Sequence, residues 1–325
     1  MQDSHSLVTP IAFLVFNRPE TTRRVFDAIA WARPQKLLVV ADGPRAGHPT
    51  DVDNCIAARA VVERVDWPCE VLKNYSDVNL GCRRRVSSGI DWVFSKVGEA
   101  IILEDDCVPG KSFFSFCEAL LCRYRDDERI MHVSGVNFQQ GFRRSQYSYY
   151  FSRLPHIWGW ATWRRAWEKY DVRMKDWPWM RANRQVARLF PTPIQAAFWE
   201  STFDQIYQGH VDTWDGQWVF ANWLHCGLAI APDVNLVSNV GAGSEATHTK
   251  GQAWYFDMPA QELTTISHPP FVFPNYEADD YTMNHHFGCG KAPRFRWGIQ
   301  RLRRIPSALR RRAINAISYA GRLGR

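Results

Sequence analysis

Residues 104–106 read Glu-Asp-Asp, three adjacent carboxylates that close the stretch EAIILEDDCVP between Glu99 and Pro109. The apolar run Ala100 to Leu103 before them predicts a buried strand. Neighbouring carboxylates repel one another, so Glu104, Asp105 and Asp106 at the end of such a strand answer either a cation or an array of hydrogen-bond donors. A solvated loop of acids is the other arrangement this pattern allows. Asp215, in VDTWDGQW, opens an apolar helical run, where a carboxylate serves as a helix cap or as a base. Asp212 lies three residues earlier. His248 follows the glycine-loosened NVGAG segment, a place for a metal ligand, a phosphate donor or an ordinary loop histidine. Trp158 and Trp160 flank Gly159 and are the candidates for a platform under a sugar ring.

Alternating strands and helices are needed to bring these groups together, and the first half of the chain has that pattern. Ile11 to Phe16 predicts a strand closed by Asn17-Arg18-Pro19, followed by a helix over Glu20 to Trp31 with Thr21 or Thr22 near its cap. Lys36 to Ala41 (KLLVVA) is a second buried strand ending in Asp42-Gly43, and a helix follows over Asp51 to Val65. A short strand at Cys69 to Leu72, a turn at Asn79-Leu80-Gly81 and a helix over Arg83 to Val97 lead into the acid-bearing strand. Beyond Pro109 the spacing predicts a helix over Lys111 to Tyr124 and a strand over Arg129 to Val136. Trp163 and Trp167 are four apart, as on one helix face, and are read as core; residues 172–210 read as a helical insertion.

The class expected is α/β, a mainly parallel sheet with helices on both faces, in which ligands bind beyond the carboxyl ends of the strands. Three of those ends carry Asn17-Arg18, Asp42-Gly43 and Glu104-Asp105-Asp106, so topology directs them to one crevice. The first strand is followed by NRPETT, with neither GxGxxG nor GxxxxGK[ST]. That argues against a dinucleotide oxidoreductase and a P-loop NTPase, and the segment also lacks the glycine-rich basic loop a sugar nucleotidyltransferase needs.

The 325 residues carry a net charge of +7, but eleven of the 40 Lys and Arg lie in 291–325, which has no Asp or Glu. The remainder holds 29 basic and 33 acidic residues, so no nucleic acid partner is expected for the body. In the basic segment Arg clusters flank Trp297, Ile299, Leu302, Ile305, Leu309, Ile314 and Ile317, which suits contact with an anionic membrane surface. The eight cysteines form no CxxC pair or Cys/His cluster and are read as reduced thiols. No secretory leader or spanning run is read, so the expected location is cytoplasmic, with peripheral attachment to an inner membrane through 291–325.

AFLVFNRP at the first strand, VVADGP at the second, NLG before a helix and IILEDD at the fourth resemble, in that order, the nucleotide-sugar glycosyltransferases of the GT-A fold. EDD resembles the N-acetylglucosaminyltransferase I group, NxG before a helix is similar to the bacterial family-two glycosyltransferases, and WGWATWRRAW, TWDGQW and NVG…THT resemble bacterial members of unassigned acceptor. The resemblance spans roughly residues 9–250. It implies one GT-A domain over 1–290, with a nucleotide-binding half at about 9–137 and an acceptor half at about 138–290, then a basic tail. It further implies an inverting transfer from a UDP-sugar donor to a glycan or lipid-linked acceptor in bacterial surface polysaccharide or glycolipid synthesis. By the same resemblance Asp106 would ligate Mn²⁺ or Mg²⁺, Asp105 would bond the ribose, Glu104 would shape the site, Asp42 would receive the uracil imide N–H, and Asn17 and Arg18 would border the nucleotide. Asp215 would be the base, with Asp212 the rival because DTWD stands where an ExD-like pair is usual, and His248 would be a second contact to metal or diphosphate. A non-catalytic carbohydrate-binding or scaffold protein on the same fold is the alternative, although such a protein has no need of a metal carboxylate.

Overall fold

The computed structural model describes residues 6–241 and 254–290. Two apolar faces on each central strand dictate the architecture, an α/β fold with a mainly parallel sheet covered by helices on both sides. The elements run β1 (Ile11–Val15), α1 (Pro19–Ala32), β2 (Lys36–Ala41), α2 (Asp51–Val62), β3 (Glu70–Tyr75), α3 (Cys82–Lys96), β4 (Glu99–Glu104), β5 (Cys107–Pro109) and α4 (Lys111–Arg123). The second half contributes β6 (Ile130–Ser134), β7 (Tyr149–Ser152), β8 (Trp160–Trp163), α5 (Arg164–Trp167), α6 (Trp177–Ala182), α7 (Pro193–Tyr207), α8 (Asp215–Leu224), β9 (Leu228–Pro232), β10 (Val237–Asn239) and α9 (Tyr276–His285).

The eight-stranded sheet has the order β3-β2-β1-β4-β8-β6-β9-β7, and β8 and β7 run against the rest. In β1, Ile11, Phe13 and Val15 pack with α1 and α4, whereas Ala12 and Leu14 pack with α3 and α8. The same alternation runs through β2 and β4: Ile101 and Leu103 face α1 and α4, and Ala100 and Ile102 face α3. Continued by one residue, it puts Glu104 on the α3 and α8 side. α6, α7 and the outer face of α8 enclose a further apolar cluster around Trp177, Trp199, Phe203 and Trp223, so the predicted helical insertion has its own core.

Several local expectations are corrected. Trp160 to Trp163 is a strand and not a turn running into a helix; it pairs antiparallel with both β4 and β6. Trp163 therefore ends a strand while Trp167 lies on α5, although both are buried as expected. β3 runs to Tyr75 because it pairs with β2 along its whole length, up to Tyr75 opposite Ala41. The cap of α1 is Arg18, with Pro19 at the first helical position, and Thr21 and Thr22 donate their hydroxyls back to the Arg18 carbonyl at 3.2 and 2.7 Å. All eight cysteines are free thiols. Among the described residues no helix is long and apolar enough to cross a membrane.

Candidate active site

β1 and β4 are neighbours although three helices and two strands separate them in sequence, and the strand order reverses between them. Such a reversal opens a crevice at the carboxyl ends of the two strands. Arg18 follows β1, and Asp105 and Asp106 follow β4. Arg18 Nη2 donates to Asp105 Oδ1, and its Nη1 lies 2.9 Å from Asp106 Oδ2. Asp105 also accepts the Phe16 backbone N–H at 3.0 Å. One guanidinium thus balances two of the three acids, and the end of β1 is tied to the end of β4.

Glu104 is not part of that clasp. Its Oε1 is buried without a hydrogen-bond partner. Burial holds its carboxyl well above the usual range, reinforced by Asp106 and Asp105 and, more weakly, by Asp215; Arg18 acts in the opposite direction. Asp215 is thereby placed near the crevice from α8, whose first residue it is; its Oδ1 accepts from the Thr213 hydroxyl and from the Gly216 N–H at 2.8 Å. Asp212 is more open. Its side chain is 61% exposed, with Arg83 Nε 3.8 Å away. Gly81, at φ +79°, is favoured by its left-handed backbone, and a Cβ there would come 2.9 Å from Asp212 Oδ2, which puts the Asp212 carboxylate against this turn. Cys82, opening α3, lies in the field of Glu104, Asp215, Asp212 and Asp42, and burial first, then these charges, raise its thiol pKa. Asp42, Glu104, Asp212 and Asp215 are in this way brought around one helix N-terminus from three separate segments.

Asp42 is fully engaged. It accepts from the N–H groups of Gly43 at 2.9 Å, Leu80 at 2.9 Å and Gly81 at 3.2 Å, and from Asn79 Nδ2 at 3.0 Å. Its carboxylate organises the 79–81 turn. Asn17 turns away from the acids and donates to Asp51 Oδ1 at 2.8 Å. Asp51, to which the sequence reading gave no role, also accepts from Arg45 Nε at 2.7 Å and Nη2 at 2.9 Å, and its side chain is almost fully buried. These contacts, Arg45 foremost, lower its carboxyl pKa. A lowered folded-state pKa adds stability that is fully present above the unfolded value of about 3.9 and lost as pH falls below it. Asp51→Asn is therefore expected to cost about 1.5–3 kcal/mol at pH 7, and in urea titrations the gap from wild type should begin to narrow only as pH falls below about 4.

On the other side of Asp106, β10 pairs antiparallel with β5, and the Val240 N–H donates to the Asp106 carbonyl at 2.8 Å. Gly241 follows, where a Cβ would lie 2.2 Å from Asp106 Oδ2, so a larger residue here would push this carboxylate from its contact with Arg18. Asp257 N–H donates to the Asn239 carbonyl at 2.9 Å and so brings Tyr255 and Phe256 alongside; Trp158 packs on both, with ring centroids 5.8 and 5.5 Å apart. Trp158 is half-buried. Trp160 is fully buried, stacked on His132 at 5.0 Å and Trp214 at 5.6 Å, and is removed from the list of sugar platforms. A strand residue between two paired neighbours points into a packed layer, whereas Trp158 precedes the strand.

Among the described residues no group of three or more His, Cys, Asp or Glu side chains is arranged to hold a metal ion. His248 lies outside the described residues, as does 291–325. What the crevice offers a cation is Asp106, with the partnerless Glu104 oxygen nearby. That donor set suits a hard cation that arrives with further oxygens from a substrate, since such ions keep waters and take phosphate ligands.

No family model and no curated protein matches the chain. Among solved structures it is similar to the mannosyltransferase PcManGT from Pyrobaculum calidifontis in complex with GDP-Man and Mn²⁺, with 13% identity and a TM-score of 0.37 over 51% of this chain and 48% of that one. It is also similar to a UDP-glucose pyrophosphorylase complexed with UDP-glucose, with 7% identity and a TM-score of 0.26 over 45% of this chain and 62% of that one. Both matches span less than two thirds of the neighbour's own length.

Proposed function

We propose that the chain is an inverting, metal-dependent glycosyltransferase. It takes a sugar from a nucleoside-diphosphate sugar, a UDP-sugar by its sequence resemblance, to a hydroxyl of a glycan or lipid-linked acceptor in bacterial surface polysaccharide or glycolipid synthesis. The observation that carries this reading is the clasp of Arg18 on Asp105 and Asp106 at the β1/β4 reversal, with Asp215 approaching from α8. An acceptor hydroxyl attacks the anomeric carbon as the bond to the diphosphate oxygen breaks on the opposite face, which inverts the centre. Asp215 takes the hydroxyl proton, and the hydrogen bonds from Thr213 and Gly216 orient its carboxylate for that transfer. Arg18 and Asp105 border the nucleotide, the 79–81 turn held by Asp42 forms its far wall, and Trp158 lies on the acceptor side. Mn²⁺ or Mg²⁺ would be held by Asp106, with His248 a candidate second contact. When bound, such an ion supplies Lewis-acid neutralisation of the charge on the leaving diphosphate.

Thermal-shift measurements against nucleotide sugars, with and without Mn²⁺, test this directly. Because Asp42 commits its oxygens to the 79–81 turn, the panel spans uridine, guanosine and thymidine diphosphate sugars. At least one is expected to raise the melting temperature more with Mn²⁺ than without it; at a concentration about 100 times Kd, binding adds about 2.7 kcal/mol. Stabilisation by none, with or without metal, would favour the non-catalytic carbohydrate binder.

A further inference from the structure

Phe142, Phe271, Phe273 and Tyr276 are 58, 78, 69 and 53% exposed, and they share one face at the β7 edge of the sheet. Phe142 meets Tyr281 with ring centroids 5.6 Å apart, the Arg144 guanidinium stands 4.8 Å from the Tyr281 centroid, and Phe273 meets Tyr276 at 6.1 Å. An open hollow lined by Tyr147, Phe271, Phe273 and Tyr276 continues the same surface past Arg144. These rings are not exposed because their segment is loose. Pro269, Pro270 and Pro274 restrict the backbone around Phe271 and Phe273. Pro274 bridges to Phe151 of β7, the Asn275 N–H donates to the Phe151 carbonyl at 2.7 Å, and Asn275 caps α9 by accepting from Ala278 N–H at 3.0 Å. A stiff, anchored loop holds two phenylalanines out in water.

We propose that this face rests on an anionic lipid surface, with the Phe142, Phe271 and Phe273 rings entering the headgroup boundary. Phenylalanine has no polar tip to satisfy, which suits the apolar side of that boundary better than a hydrated groove. On this face Arg143 pairs with Asp233 Oδ2 at 2.6 Å and Arg144 stands against Glu277 and Asp280, so the face itself carries no excess of positive charge. Attraction to anionic headgroups comes from the chain that continues beyond α9, where 291–325 carries eleven Lys and Arg and no acid. Stable surface binding takes two signals, and here the folded body supplies the apolar one. β7 lies four strand positions from β4, roughly 19 Å at about 4.8 Å per strand, so the crevice stands beside the docked face and not under it.

Co-sedimentation of the full chain with phosphatidylcholine vesicles, with and without phosphatidylserine, decides this without any activity measurement. It is thus independent of the glycosyl-transfer reading. Wild type is expected to sediment with the phosphatidylserine vesicles, and Phe271→Ser/Phe273→Ser to bind at least about tenfold more weakly. Phe142→Ser, on a separate loop, should also weaken binding, and it stands in if the double variant melts at a lower temperature. Equal binding by wild type and these variants would overturn the proposal by assigning attachment to the basic segment alone. Failure of wild type to bind, or a dimer in sedimentation velocity that the double variant loses, would overturn it as well.

Discussion

Asp106→Ala is expected to lower metal-dependent transfer by about 10³-fold or more while leaving the melting temperature close to that of wild type. The expectation rests on the place of this carboxylate, at the end of β4 beside Gly241 and within the Arg18 clasp. Loss of several kcal/mol of charge stabilisation on the leaving group corresponds to about three orders of magnitude in rate. Stability should hardly move. The hydrogen bond from Val240 reaches the Asp106 carbonyl, which alanine keeps, and Arg18 retains Asp105. Because Arg18 keeps Asp105 as a partner, loss of its second contact to Asp106 is expected to cost about 1 kcal/mol. Nucleotide release assayed over a range of Mn²⁺ concentrations, beside a melting curve, measures both halves. Normal turnover in this variant would remove Asp106 from the metal role.

Asp215→Asn is expected to lower kcat by about 10²–10⁴-fold with the donor KM little changed, the pattern of a lost general base. Asparagine keeps the shape and accepts the same Gly216 N–H, so the α8 start survives while the proton acceptor does not. Asp212→Asn is the matched control. Its carboxylate faces water beside Arg83, and its loss should leave kcat nearly unchanged. A large fall for Asp212→Asn with normal turnover for Asp215→Asn would exchange the two roles.

The parts of the fold legible in the sequence were those with a single strong period or a bare apolar run. KLLVVA reads as a strand and is one over Lys36–Ala41, because both of its faces are covered. The three acids after Leu103 were legible for the same reason: an apolar run that stops abruptly at charge marks a strand end. β8 was not legible, since Trp-Ala-Thr-Trp has neither alternation nor a β-branched run, and its place between β4 and β6 depends on partners distant in sequence. Asp42 could be placed but not its state, because three of its four donors are backbone N–H groups that every sequence possesses. Asp51 shows the converse: it opens the second helix, a position where an acid needs no special explanation, and only the arrival of Asn17 and Arg45 reveals a buried anchor.

β8 also fixes when the sheet can be completed as the chain emerges from synthesis. The strands β1 to β4 find their partners within the first 104 residues, so that half can form its ladders early. β6 is made next, yet it pairs with β8 and β9 and not with β4. The seam between the halves stays open until residues 160–163 arrive, and what closes it is a strand whose Trp160 side chain is fully buried in the finished sheet. Until then the β4 edge is a row of unpaired backbone groups beside an apolar face, the kind of surface that recruits strands from other chains.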